Sequence, residues 1–316
     1  MVEDNLPKNN TLWHYTTLLA AQNMVMNDQL WATDYRFLND RKEYIHGLKA
    51  LLSLFESYNG ERDSNIITQT VMERNYSLNL WAHDIFYKRY QDLMANKNTV
   101  MRSVAKDYSL YRFNSFDAPF YCMSFSEGGD SLNQWMGYLN KAGGCAIGFN
   151  TEKLLRYIEI KPTENKFHRC IYSDYEFEKN CKEQINILQE KFSNSYLEPG
   201  GPIEINFSRI INALNLLCCR YKHACFANEK EWRLIWNKPK KNIYFDTGKP
   251  HCKLDTISYG IIDSIEEIII SPQGDKESAQ IFFEELIKAR SQEAFNEKHM
   301  LENGIFLKYS TLPFRG

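Results

Sequence analysis

The chain has 316 residues, 43% hydrophobic and 14% aromatic, which is ample for a sizeable core and excludes a disordered polymer. Its 38 basic and 40 acidic side chains leave a net charge of −2, so no global positive field exists to hold nucleic acid unselectively. The opening Met-Val-Glu-Asp-Asn-Leu-Pro carries acids where a signal peptide wants bases, and no stretch approaches the ~18–20 apolar residues of a membrane span. A cytoplasmic protein with no membrane partner is therefore expected.

Taken in chain order, the pattern predicts a strand over Leu12–Thr17, a helix over Leu18–Asn27 and a strand over Leu30–Thr33. Asn39-Asp40 reads as a turn and helix cap with Glu43 as the capping-box partner. The helix that follows, Arg41–Tyr58, carries Ile45, Leu48, Leu51, Leu52 and Phe55 on one stripe. Asn59 to Ser64 breaks the chain, and residues 64–111 read as predominantly helical. Ala118–Ser126 reads as a strand, Gly128-Gly129 as a turn, and Asp130–Leu139 as a helix capped by Asp130 or Ser131. Cys145–Phe149, Ile158–Lys161 and Arg169–Ser173 read as strands, and helices are expected near 176–192 and 203–222 around the Pro199–Pro202 loop. The last third holds expected strands at Glu231–Trp236, Ile262–Ser271 (interrupted near Glu266) and Gly304–Ser310, with a helix over Lys276–Arg290. Strand runs separated by helical blocks without strict alternation argue for an α+β protein. We read one domain over 1–316, with largely helical insertions at about 41–115 and 176–222.

The cysteines at 122, 145, 170, 181, 218, 219, 225 and 252 form no Cys-x-x-Cys pair, so reduced and mostly buried thiols are expected rather than a metal centre. His223 and Cys225 are two possible ligands without a second pair. Lys238, Lys240 and Lys241 form the densest basic stretch, which a solvated loop explains as well as a nucleic-acid contact.

Three segments place polar side chains on otherwise apolar strands, where they cost free energy unless paired. In Trp13-His14-Tyr15-Thr16, alternation puts His14 and Thr16 on one face and Trp13 and Tyr15 on the other. His14 could equally be a core histidine bonded to backbone. In Tyr121 to Glu127, Ser124 and Ser126 share a face opposite Met123 and Phe125. The helix beyond carries Leu132, Trp135 and Leu139 at core spacing, beside a Gln134–Tyr138 pair. Gly128-Gly129 before that helix could cradle an anion. In Asn228 to Ile235, Glu231 and Arg233 share a face opposite Trp232 and Leu234. They form either a simple ion pair or a carboxylate aimed into a cleft.

The joint order of these motifs resembles the bacterial domain-of-unknown-function family 2971. The run comprises His14-Tyr15-Thr16, Leu30-Trp31-Ala32-Thr33, Asn39-Asp40 with Glu43, and Ser124-Phe125-Ser126 with Ser131 to Trp135. It continues through Gly148-Phe149, Tyr172, Phe226 with Glu229, Glu231-Trp232-Arg233, Glu267 to Ile270 and Ser310 to Arg315. At greater distance, a His, then a hydroxyl, then a Glu on successive strands is similar to ADP-ribosyltransferases. That resemblance implies a central, mainly antiparallel or mixed sheet and NAD as substrate. Glu231 would be catalytic, and His14, Tyr15, Thr16, Ser124, Ser126, Gln134, Trp135 and Arg233 would bind or brace NAD. Breaking the nicotinamide–ribose bond develops oxocarbenium character, which a carboxylate opposes. The expected activity is mono-ADP-ribosyl transfer or NAD hydrolysis by a toxin or anti-phage defence effector. The acceptor would be nucleic acid or protein, and an antitoxin or defence-system protein would be a partner. Two rivals stand beside it: a non-catalytic nucleotide- or ligand-binding sensor on the same scaffold, and a metal-dependent nuclease using Asp40, Glu43 and Glu231.

Overall fold

The computed structural model describes residues 10–27, 29–35, 41–58, 120–138, 143–159, 165–195, 203–237, 243–246, 249–254, 261–296 and 304–313. The expected helical stretch at 64–111, the Pro199–Pro202 loop, Asp40 and the lysines at 238–241 lie outside them. The chain divides into two compact units, one made of Met1–Asn39, Pro119–Cys170 and Ala227–Gly316, the other of Asp40–Ala118 and Ile171–Phe226.

The first unit contains a mixed, open sheet. Its strands are β1 (Thr11–Thr16), β2 (Leu30–Asp34), β3 (Phe120–Ser126), β4 (Cys145–Asn150), β5 (Asn165–Arg169), β6 (Glu231–Asn237), β7 (Ile243–Asp246), β8 (Lys249–Leu254), β9 (Ile265–Ile270) and β10 (Phe306–Tyr309). The order runs β10-β9-β4-β1-β3-β2-β8-β7, with β6 also paired to β3 and β5 paired to β6. Among the described pairs only β9 with β10 is parallel. Helices α1 (Leu18–Asn27), α3 (Leu132–Tyr138), α4 (Thr151–Glu159) and α7 (Lys276–Asn296) belong to this unit. The fold is thus α+β, as the pattern predicts.

Local chemistry sets these boundaries. Thr17 caps α1, accepting the Ala20 N–H at 3.3 Å, and Asp275 caps α7 through the Ser278 N–H at 3.1 Å. Apolar positions three and four apart then bury one stripe, as Ala21, Met24 and Val25 do on α1. The main core lies on one face of the sheet and gathers Leu12, Met24, Met123, Phe125, Ile147, Phe149, Trp232, Leu234, Ile268 and Phe283. A smaller cluster of Trp13, Tyr15, Trp135, Ala146 and Ile269 occupies the other face.

Two expectations are corrected. Ile158 and Glu159 end helix α4 rather than opening a strand, because Asn150 accepts the Lys153 N–H at 3.0 Å and caps a helical turn there. The strand expected over Arg169–Ser173 lies earlier, at Asn165–Arg169, since it follows the register of β6. The β7–β8 hairpin was not read from sequence.

The second unit contains helices α2 (Arg41–Tyr58), α5 (Asp174–Ser195) and α6 (Ile203–Arg220). Gly47 on α2 lies so close to α6 that a Cβ would meet the Cys218 carbonyl oxygen at 2.7 Å. Glu43 carries a buried ion pair with Lys222 Nζ at 3.0 Å, and Tyr44 donates to Asn215 Oδ1 at 2.9 Å. Tyr221 stacks on His46 at 4.8 Å and on Phe177 at 4.2 Å. No described helix is long and apolar enough to cross a membrane. Cys122, Cys145, Cys170, Cys181, Cys218 and Cys219 are buried and in no disulfide, while Cys225 is exposed.

Candidate functional site

The site builds on a split in the first unit's sheet. Strand β6 pairs with β3 along its whole length, from Phe120 to Ser126. On the opposite edge β1 meets β3 at the single pair Trp13↔Ser126, and β2 joins only at Cys122 and Tyr121. Between them, at 123–125, no described strand covers that edge. His14 fills the place of a ladder bond: its Nδ1 donates to the Ser124 carbonyl at 2.8 Å. That tautomer leaves Nε2 as an acceptor. Burial lowers the His14 pKa to about 4, against the raising effect of the Ser124 bond, so the ring is neutral at pH 7.

Paired residues of neighbouring strands point to the same side of a sheet. Trp13, Ser126 and Glu231 are aligned across β1, β3 and β6, and Ser124 is opposite Arg233. Ser124, Ser126, Glu231 and Arg233 therefore share a face with Trp13 and Tyr15. His14 takes the other face, with its ring 5.8 Å from that of core residue Phe125. The alternation expected within each strand is present, but His14 does not share the face of Glu231. At roughly 4.8 Å per strand, β1 and β6 are about 10 Å apart across β3.

Glu231 and Arg233 are both buried, at 2% and 4% exposure. Arg233 Nε donates to Glu231 Oε1 at 2.6 Å and Nη2 to Oε2 at 3.3 Å, a two-point grip that fixes the carboxylate plane. Lys230, just before Glu231, adopts a left-handed φ of 43°, the tight turn that leads the chain into β6. Ser126 Oγ donates to the Glu229 carbonyl at 2.8 Å and accepts the Gly128 N–H at 3.1 Å. It ties the ends of β3 and β6 together. Ser124 and Thr16 are half-buried.

The aromatic residues lock the neighbouring loop. Tyr15 Oη donates to the Gly128 carbonyl at 2.8 Å and accepts the Ser131 N–H at 3.0 Å. Burial drives its pKa up, although the Ser131 bond opposes this. Trp135 is fully buried, edge-on to Tyr15 at 4.7 Å, and its Nε1 donates to Asp130 Oδ1 at 2.7 Å. Trp135 thus holds α3 in place. Gly129 makes room for Trp13, whose ring would lie 2.3 Å from an added Cβ. The turn at 128–129 therefore serves packing, and Tyr15 already occupies the Ser131 N–H that an anion would need.

Two residues of this region escaped the sequence reading. Asp130, expected only as a helix cap, accepts Ser310 Oγ at 2.6 Å and the Thr311 N–H at 2.8 Å, as well as Trp135. Partial burial raises its pKa, but these hydrogen bonds outweigh it and hold the carboxyl below its ordinary range. His168 is directly opposite Arg233 on β5, which places it on the polar face. Alternation from Asn165 would have exposed it, had the strand start been recognised. Glu43, the other described nuclease candidate, belongs to the second unit and pairs with Lys222. Among the described residues no group of three His, Cys, Asp or Glu side chains is placed to hold a metal ion.

No curated protein and no solved structure matches the chain. Residues 134–234, from α3 through most of β6, match the model of a family described as a protein of unknown function, DUF2971, the family that the motifs resemble.

Proposed function

We propose that this chain acts on NAD, cleaving the nicotinamide–ribose bond and passing ADP-ribose to an acceptor or to water, with Glu231 as the catalytic carboxylate. The observation that supports this reading is the two-point grip of Arg233 on Glu231, on the sheet face shared with Ser124 and Ser126. A carboxylate in that grip stays ionised and oriented, which a group opposing an oxocarbenium charge requires. The span of about 10 Å from β6 to the split beside β1 is of the order of one nicotinamide–ribose unit. His14 then acts from the edge of the split, offering Nε2 to a ribose hydroxyl, and Ser124 and Thr16 border the same opening. Trp135 and Tyr15 serve as buttresses. Acceptor, defence role and protein partner belong to this proposal as its expected context: nucleic acid or protein as acceptor, a toxin or defence effector as role, and an antitoxin as partner.

The same ion pair favours a second reading. A carboxylate already neutralised by a buried guanidinium suits a site that binds NAD without cleaving it, as a sensor would. Incubating the protein with NAD labelled in both halves, alone and with cell lysate, separates the two. Release of nicotinamide supports the transferase or hydrolase. Saturable binding with a raised melting temperature and intact NAD supports the sensor.

A further inference from the structure

The motif at Ser310 to Arg315 has no part in the chemistry proposed above, yet its first residues meet Asp130, 180 positions earlier in the chain. Ser310 continues β10, donating its N–H to the Ile270 carbonyl at 2.9 Å. It then turns the chain: its Oγ accepts the Leu312 N–H at 3.2 Å and donates to Asp130 Oδ1 at 2.6 Å. The Thr311 N–H and hydroxyl both donate to Asp130 Oδ2, at 2.8 and 3.1 Å, and the Trp135 indole donates to Oδ1 at 2.7 Å. An ionised carboxylate offers about four acceptor sites, and these bonds occupy them. A neutral amide at this position could not accept at both ends.

From Asp130 a continuous set of contacts runs to Glu231. The Tyr15 ring packs on Trp135, and the Tyr15 hydroxyl joins the Gly128 carbonyl to the Ser131 N–H. The Gly128 N–H donates to Ser126 Oγ, which donates in turn to the Glu229 carbonyl. Between Glu229 and Glu231 stands Lys230 with its φ of 43°, a conformation that a residue other than glycine keeps only where its surroundings hold it. On the opposite edge of β6, the Glu231 carbonyl accepts the Cys170 N–H at 2.9 Å. We propose that Asp130 is a positioning residue for Glu231. It latches Ser310–Leu312 onto the loop after β3, and the latched loop keeps the Lys230 turn, and with it the Glu231 carboxylate, in place. Its effect on turnover rests on the proposed action on NAD; the latch itself does not.

Hydrogen exchange resolved to single amides tests the latch in wild type, Asp130→Asn and Thr311→Pro. Asp130→Asn keeps the shape but turns a donor toward donors. Thr311→Pro removes both Thr311 bonds at an exposed position, so it reads the latch even where Asp130→Asn fails to fold. In each variant the amides of Gly128, Ser131 and Cys170 should exchange roughly tenfold or more faster, while those of β4, between β1 and β9, keep their wild-type rates. Folded variants with unchanged exchange at Gly128 and Cys170 overturn the proposal. So does equal acceleration of all these amides, which would make the bonds part of the general stability of the fold. NAD cleavage supplies the second readout: kcat should fall roughly tenfold or more at nearly constant KM, the mark of a displaced catalytic group rather than of lost binding. Local acceleration with unchanged kcat overturns the positioning role. A wild type that leaves NAD intact, with the local acceleration present in the variants, instead sinks the proposed reaction and leaves Asp130 as the latch of the Glu231 turn.

Discussion

At the scale of single residues, two side chains carry opposite demands on charge. The proposed reaction requires Glu231 to stay ionised, and Arg233 meets both of its oxygens. Glu231→Gln keeps the shape and loses the charge, so nicotinamide release from NAD should fall by roughly 10²-fold or more while circular dichroism stays native. A variant that loses stability without losing rate would reduce the pair to a structural role. His14 must stay neutral, and burial accounts for it. The unfolded chain takes a proton at this ring below pH 6.5, the folded chain only below about 4. Its contribution to stability is therefore complete above pH 6.5 and is lost as pH falls from 6.5 to about 4, a change of order 3 kcal/mol. Urea unfolding of His14→Gln should show a shallower decline over that window than wild type. Parallel declines would contradict the burial of His14.

At the scale of elements, glycine positions decide between propensity and packing. Gly47 sits inside α2, where alanine would ordinarily gain up to about 1 kcal/mol of helix stability. Its Cβ would strike the Cys218 backbone, which cannot swing aside as a side-chain tip can. Overpacking costs about 1–3 kcal/mol, so Gly47→Ala should lower the melting temperature, and a rise would show that α2 and α6 are free to part. Helix α2 itself was legible from Arg41 to Tyr58, because an apolar stripe of period 3.6 runs through it. So were β3 and β6, whose alternation puts Ser124 with Ser126 and Glu231 with Arg233. The relation of His14 to Glu231 was not legible. Which face a residue takes relative to another strand depends on register, and register across the long sequence gaps from Trp13 to Ser126 to Glu231 is set by packing far along the chain. Asp130 escaped for the same reason, since its partners Ser310 and Thr311 are at the other end of the sequence.

At the scale of the whole molecule, every described strand and every proposed NAD contact belongs to the first unit, while the second is helical with its own buried pair, Glu43 with Lys222. The chemistry is thus assigned to a sheet whose two faces differ: an apolar core on one side, and on the other a small aromatic cluster alongside a buried ion pair. The stabilisation of positive charge proposed for Glu231 needs no cation, so under that proposal a chelator should leave NAD turnover unchanged, whereas a metal-dependent nuclease would fall silent. The central claim is tested most directly by nicotinamide release from NAD, followed over hours with chelator, in buffer and in lysate, for wild type and Glu231→Gln side by side. The account predicts release by wild type and its near loss in the variant. Intact NAD in every sample, or equal release by both proteins, would contradict it.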